Sequence, residues 1–186
     1  MFKLKIYHME NVPLQPKKVS LNYGIILGVV SILISVIIYA LGKHYDQDWM
    51  TRSPGLIAMI AIIFLGIKKF RELNNGFLKM GEALKTGIGI ALIGAVISLV
   101  YTYIFLNYIE PEYMTTMMEM QEEALIERFP DFTDEQIETQ MAVMKKFSTP
   151  LMTTAMALIV SLFFGFIISL ISGFILKKSD EEITSI

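Results

Sequence analysis

Two sets of side chains in this sequence have the chemistry to hold a metal ion. Asp46, Asp48, Glu110 and Glu112 lie in short polar stretches with His44 beside them, and oxygen donors of this kind suit hard cations. Eight of the 13 methionines fall between positions 114 and 156, among them Met114, Met117, Met120, Met141, Met144, Met152 and Met156. Two or three thioethers converging, with or without His44, suit copper(I). A plainer reading stands beside each. The acids lack the spacing of a calcium loop and form an ordinary solvated rim, and methionines at helical spacing fill irregular apolar gaps. The plainer readings are the expected ones, so no metal and no cofactor is assigned.

A third set is hydroxylic. Ser31, Ser35, Ser98, Thr102, Ser161 and Ser169 form a polar stripe through otherwise apolar sequence, as a small-solute channel or carrier would need. Proton and ion pathways ordinarily use charged groups or broken helices at membrane depth, and these stretches offer only hydroxyls, glycines, and Asn22 and Asn107 near their ends. A monomeric proton-coupled carrier is therefore disfavoured, while an oligomeric pore stays open. Catalysis has no candidate residues. There is no G-x-S-x-G, H-E-x-x-H, P-loop or helical carboxylate array, and with no cysteine there is no thiol nucleophile, disulfide or thiolate metal site. The chain is not expected to be an enzyme. His8 falls in the N-terminal tail and is expected to have no chemical role. A net charge of -2 says nothing of nucleic acid, and no such partner is expected.

What must position these residues follows from where charge is missing. Every Asp, Glu, Lys and Arg lies outside four apolar blocks, 20–42, 53–67, 86–109 and 147–176. A hydrophobic fraction of 54% and a mean hydropathy of +0.54 exceed what a soluble surface allows at this length. A helix crosses a hydrocarbon layer of about 30 Å with about 20 apolar residues, which three blocks supply. The second has 14 uncharged residues from Pro54 to Ile67. It is expected to extend from Trp49 to Phe70, with an aromatic at each interface and Arg52, Lys68 and Lys69 snorkelling to the headgroups.

Charge asymmetry sets the direction. With four spans, one side holds Lys3, Lys5, Lys17, Lys18, Lys68, Lys69, Arg71, Lys79, Lys85, Lys177 and Lys178, eleven of the 16 basic residues. The other side holds five basic residues against twelve acids. The positive-inside rule then places both termini in the cytoplasm. The first block after its basic lead also looks like a secretory signal cut near Gly42, but its apolar core is longer than the roughly 7–15 residues of a signal, so a retained span is expected. Met9 is an alternative start.

The expected fold is all-α, a polytopic membrane protein with four transmembrane helices and an extracytoplasmic helical hairpin between spans three and four. It is read as one domain over 1–186, with cytoplasmic tails at 1–18 and 177–186 and the hairpin at 110–146. In the hairpin, Pro111 opens a helix to about Arg128 that carries Met114, Met117, Met118, Gln121 and Leu125 on one face and Glu119, Glu122, Glu123 and Glu127 on the other. Thr133 and Gln136 form a capping box for a second helix with Ile137, Met141, Met144 and Phe147 on its apolar stripe. Ser148 or Thr149 caps the fourth span, with Pro150 in its first turn.

Small residues mark where the spans meet. Thr153, Ala157, Ser161, Gly165, Ser169 and Gly173 repeat every fourth position on the fourth span; Gly24 and Gly28 lie on the first, and Gly87, Ala91, Ala95 and Ser98 on the third. Lipid tails solvate Leu as well as protein does, so membrane helices associate through the close contact that small side chains permit. Packing within one chain is the preferred role of this seam, with homodimerisation as the alternative.

Three sequence words carry a resemblance. Asn75-Gly76-Phe77, Gly81-Glu82-Ala83-Leu84-Lys85-Thr86-Gly87 and Asn107-Tyr108-Ile109-Glu110-Pro111-Glu112, with the spacing between them, resemble a bacterial family of small four-span membrane proteins catalogued as a domain of unknown function, number 4199, over about 19–178. The chain departs from that pattern at Lys79 and Met80, where the family carries Ser or Thr and an aromatic. The resemblance implies a bacterial cytoplasmic (inner) membrane and four helices, and it implies no activity. Residues 76–86 read as an interfacial lead-in, Phe77, Met80, Ala83 and Leu84 on the membrane surface and Lys79 and Lys85 toward headgroups; docking of a cytoplasmic partner is the alternative. The expected role is that of a non-enzymatic assembly or interaction protein in the lipid bilayer, partnered by its own copies or by another membrane protein. A small-solute channel or carrier and an outer-face metal-binding protein are the alternatives.

Overall fold

The computed structural model describes residues 16–178. The readings of His8, Met9, Lys3 and Lys5 lie outside them. Six helices follow in order: α1 Pro16–Ala40, α2 Trp49–Leu73, α3 Met80–Ile104 continuing into a π-helical turn Phe105–Ile109, α4 Tyr113–Arg128, α5 Asp134–Phe147 and α6 Pro150–Leu176. α1, α2, α3 with its turn, and α6 are long and apolar enough to cross a membrane. This is a multi-pass membrane protein with an all-α fold.

The ends of the helices explain the differences from the sequence expectation. α1 stops at Ala40, short of Gly42, which sits at φ +67, a conformation that ends a helix and suits glycine. α2 runs past both ends of its charge-free block. Asp48 caps it by accepting the Thr51 N–H at 2.9 Å, and at the far end Asn75 takes φ 55 while the Gly76 N–H reaches the Arg71 carbonyl at 2.9 Å. Its 25 residues measure about 37 Å at about 1.5 Å each, enough for a crossing. α3 starts at Met80, six residues before the block does, because the Glu82 carboxylate accepts the Lys79 N–H at 2.8 Å and satisfies the first turn.

That early start corrects the interfacial reading of 76–86. Ala83 and Thr86 are fully buried, and Leu78, just before the helix, is buried as well. Leu78 pairs with Lys178 through two backbone hydrogen bonds of 2.9 and 3.2 Å, which fastens the α2–α3 connection to the end of α6. In the hairpin Pro111 lies in a turn ahead of α4, the Thr133 box forms as read, and Thr149 caps α6 with Pro150 in its first turn. Phe147 closes α5 and is 60% exposed, so the apolar stripe of α5 ends at Met144.

The four long helices form a ring in the order α1, α3, α6, α2, with α2 also touching α3. Residues rise together along α1 and α3, which are parallel, and run oppositely along α3 and α6. The core gathers at one end. Ile63, Ile67, Phe70, Leu78 and Ile90 are fully buried there, while the outward faces carry Leu33, Ile57, Ile159 and Phe174 to the lipid.

Candidate functional site

The small residues named from the sequence divide into two halves with different surroundings. At the end holding the α2–α3 connection they are in tight contact. A Cβ placed on Gly24 would lie 2.6 Å from Ile93 Cβ, on Gly28 2.6 Å from Ile97 Cβ, and on Gly165 2.5 Å from Ala91 Cβ. Gly87 faces the Ser169 side chain, and Gly173 faces Met80 and Ala83. These are α1–α3 and α3–α6 contacts at a spacing that only glycine permits. Two hydroxyls are absorbed by the same region, Ser20 donating to the Thr86 carbonyl at 3.0 Å and Ser169 to the Gly165 carbonyl one turn back.

Toward the other end the same ridge opens. Ala95 and Ala157, with Gly55, line a cavity of about 290 Å³ rather than touching. Ser31, Ser98, Thr102 and Ser161 line it too, which brings four of the six stripe hydroxyls to one place. Thr102 is shared with a second cavity of about 310 Å³ that also takes in Ser35. Ser169 is apart from both, in the tight half.

The second cavity is walled by part of an aromatic cluster built from four segments, of which all the rings but Tyr45 line it. α1 supplies Tyr39, the loop after it His44 and Tyr45, the π-helical turn Phe105, and the first turn of α4 Tyr113. A π-helical turn carries one residue more than an α-helical one and shifts the facing side chains; here it ends at Glu110, whose two carboxylate oxygens accept the Tyr39 and Tyr45 hydroxyls, each at 3.1 Å. Tyr45 stacks on Tyr113 at 5.4 Å between centroids and 16° between planes, and the Tyr113 hydroxyl donates to the His44 carbonyl at 3.4 Å. The His44 ring is 4.2 Å from that of Tyr45 and 4.8 Å from that of Tyr39, yet both of its nitrogens are buried without a hydrogen-bond partner.

Electrostatics keep this cluster protonated at its phenols. Loss of hydration pushes Tyr45 above its ordinary range, as does its bond to Glu110, against a lowering hydrogen bond from Thr116. Burial pushes Tyr113 up as well. Both therefore act as O–H donors at neutral pH. Asp48 moves the other way, held down by the Thr51 N–H and hydroxyl that it accepts.

Of the four acids named as a hard-cation set, two have separate structural tasks and two, Asp46 and Glu112, are exposed. Asp48 caps α2, and Glu110 holds two tyrosines. Among the described residues no three His, Asp or Glu side chains are grouped closely enough to hold a metal ion. The methionines divide likewise. Met114, Met118 and Met141 line a cavity of about 590 Å³ between α4 and α5, with Glu122, Glu138 and Lys145 in its lining. Met117 and Met120 line a different one, and Met152 and Met156 point outward from α6. The tyrosines are what the residue search missed. Six of the eight, Tyr39, Tyr45, Tyr101, Tyr103, Tyr108 and Tyr113, flank the expected outer ends of the spans, and that concentration was the available signal.

A family model described as "Protein of unknown function (DUF4199)" matches residues 22–178. No curated protein and no solved structure matches the chain.

Proposed function

We propose, from the premise that the chain belongs to this DUF4199 family of proteins of unknown function, that it is a non-enzymatic assembly or interaction protein of a bacterial cytoplasmic membrane. Its termini are cytoplasmic and the α4–α5 hairpin is outside. The direction rests on the basic residues Lys68, Lys69, Arg71, Lys79 and Lys85 around the α2–α3 connection, set against the acidic hairpin. The observation that carries the role is the open half of the seam. Gly55, Ala95 and Ala157 leave room beside α3 and α6 where a further helix, of a second copy or of another membrane protein, can approach closely.

The chain contains no cysteine, so single substitutions give clean crosslinks. Ala157→Cys in native membranes is expected to yield a covalent dimer or a fixed adduct under mild oxidation. Phe174→Cys, which faces lipid at the tight end, is expected to yield none. Monomer alone from Ala157→Cys at every expression level sinks the reading.

A second reading, passage of a small polar solute, draws support from the four hydroxyls around one cavity. Solute flux into liposomes that survives Ser98→Leu and Ser161→Leu unchanged would remove it. Metal binding at the outer face draws on the three thioethers of the hairpin cavity; a copper(I) titration identical for the parent chain and a Met114→Ala, Met118→Ala, Met141→Ala variant would dispose of it.

A further inference from the structure

The cavity of about 310 Å³ beneath the hairpin holds chemistry that no packing role uses. Tyr39, Tyr101, Phe105 and Tyr113 give it aromatic walls, and Ser35 and Thr102 give it hydroxyls. No Asp, Glu, Lys or Arg among the described residues lines it. The nearby carboxylate of Glu110 is engaged on both oxygens by Tyr39 and Tyr45. His44 does line it, with both ring nitrogens buried and unpartnered. An imidazole has at least one N–H to donate, and leaving that group buried without an acceptor is unfavourable until a ligand supplies one.

The neighbouring cavity of about 290 Å³ gives the ligand its shape. The two share Thr102 in their linings, and this one, mostly apolar, also takes in Ser98, Ala95, Gly94 and Leu27. One chamber suits a flat polar ring and the next suits a chain. Aromatic walls favour an offset-stacked ring; the Thr102 hydroxyl already donates to the Ser98 carbonyl at 3.0 Å, so the Ser35 hydroxyl and the His44 imidazole are the donors left for ring carbonyls or hydroxyls. A phosphate headgroup would need a cation in the wall, which is lacking.

We propose that these two chambers together bind one molecule of a quinone-class lipid, an uncharged hydrogen-bonding ring on an apolar chain. The ring lies among Tyr39, Phe105 and Tyr113 against His44, and the chain runs down past Thr102 and Ser98 toward Gly94. The two-chamber site does not rest on the assembly reading but shares space with it: the lower chamber is the opening beside Gly55, Ala95 and Ala157 that a further helix would fill, so the ring site at His44 is tested separately from crosslinking at Ala157.

Decylubiquinone titrated into the full chain in maltoside micelles, followed by quenching of tyrosine and Trp49 emission, tests this. Saturable quenching at one molecule per chain is expected. His44→Gln should weaken it at least tenfold. Ala95→Leu fills the lower chamber and should weaken decylubiquinone comparably while leaving the tailless probe duroquinone unchanged; it carries the test if the His44 variant fails to fold. Phe174→Ala, on the lipid face of the tight end, should bind as the parent chain does. Quenching that never saturates, or that is the same in all variants, overturns the proposal. So does displacement by dodecylphosphocholine at micromolar concentration, which would assign the chambers to a phospholipid.

Discussion

The two ends of the four-helix ring are built from the same small residues and come out differently. At the end near the α2–α3 connection, Gly24, Gly28, Gly87, Gly165 and Gly173 each face a side chain that would collide with an added Cβ. At the hairpin end Ala95 and Ala157 line open space, and aromatic rings take over the contacts. The difference shows that a small-residue ridge specifies closeness only where the partner helix presents a complementary side chain. Ile93, Ile97 and Ala91 do so for the tight half. In a membrane, where burying apolar surface against protein gains little over lipid, close dispersion contact is what holds helices together. Stability should therefore concentrate at the tight end, and binding at the loose one.

The largest test of that contrast is a pair of glycine substitutions. Gly165→Leu drives a side chain into Ala91 and is expected to prevent assembly of the bundle, a loss above about 4 kcal/mol, the range reserved for severe core disruption. Gly55→Leu, with nothing within 4 Å of its added Cβ, should cost less than about 1 kcal/mol. Retention of folded protein in an SDS titration reads both. Equal tolerance at the two positions would erase the distinction between the ends. A smaller effect is expected from Phe70→Ala. Phe70 is fully buried among Ile63, Ile67 and Leu78, and truncation there should cost about 3–5 kcal/mol. Hydrogen exchange should rise in α2 and α3 near the substitution and stay unchanged in α4 and α5.

Thr133→Ala probes the opposite end. Its hydroxyl accepts the Gln136 N–H at 3.4 Å and the Gln136 side chain returns to the Thr133 N–H at 2.9 Å. Loss of the cap should cost about 1 kcal/mol. Faster exchange confined to the first turn of α5, with the bundle midpoint unmoved, is the expected result; a shift of the whole transition would mean that hairpin and bundle unfold as one unit.

Much of the architecture was legible because it depends on local chemistry. The charge-free blocks reflect the membrane as solvent, and the Thr133 box and Pro150 depend on a few adjacent residues. The extension of the second span from Trp49 followed from its aromatic and basic flanks. What escaped is tertiary. Leu78 meets Lys178 across a hundred positions, so within a segment that reads as an interfacial lead-in Leu78, Ala83 and Thr86 are buried while Lys79 and Lys85 stay exposed. His44 and Tyr45 meet Glu110 and Tyr113 across 65 to 69 positions, around the π-helical turn that follows Ile104. Composition placed Glu110 in a solvated acidic rim, with a metal site as the alternative, whereas it is the acceptor of two phenols.

The smallest effect is spectroscopic, and it separates two neighbours in the loose end. A phenol whose folded value is raised favours its neutral form in the folded state. Its contribution to stability is complete below the ordinary value of 10.0 and is lost as pH rises through the raised one. Phenolate absorbance at 295 nm in lipid nanodiscs should therefore show a fraction titrating above the ordinary tyrosine range, and the difference made by Tyr45→Phe with Tyr113→Phe isolates the share of these two. Glu110→Gln divides that fraction. Tyr45 is raised partly by its bond to Glu110 and by that carboxylate's charge, so the substitution should move it down. Tyr113 is raised chiefly by burial, with no contribution from Glu110, so it should stay where it is. Movement of both would mean that Glu110 closes the whole aromatic cluster and that water enters without it; movement of neither would mean that the carboxylate is not the acceptor Tyr45 uses in the membrane.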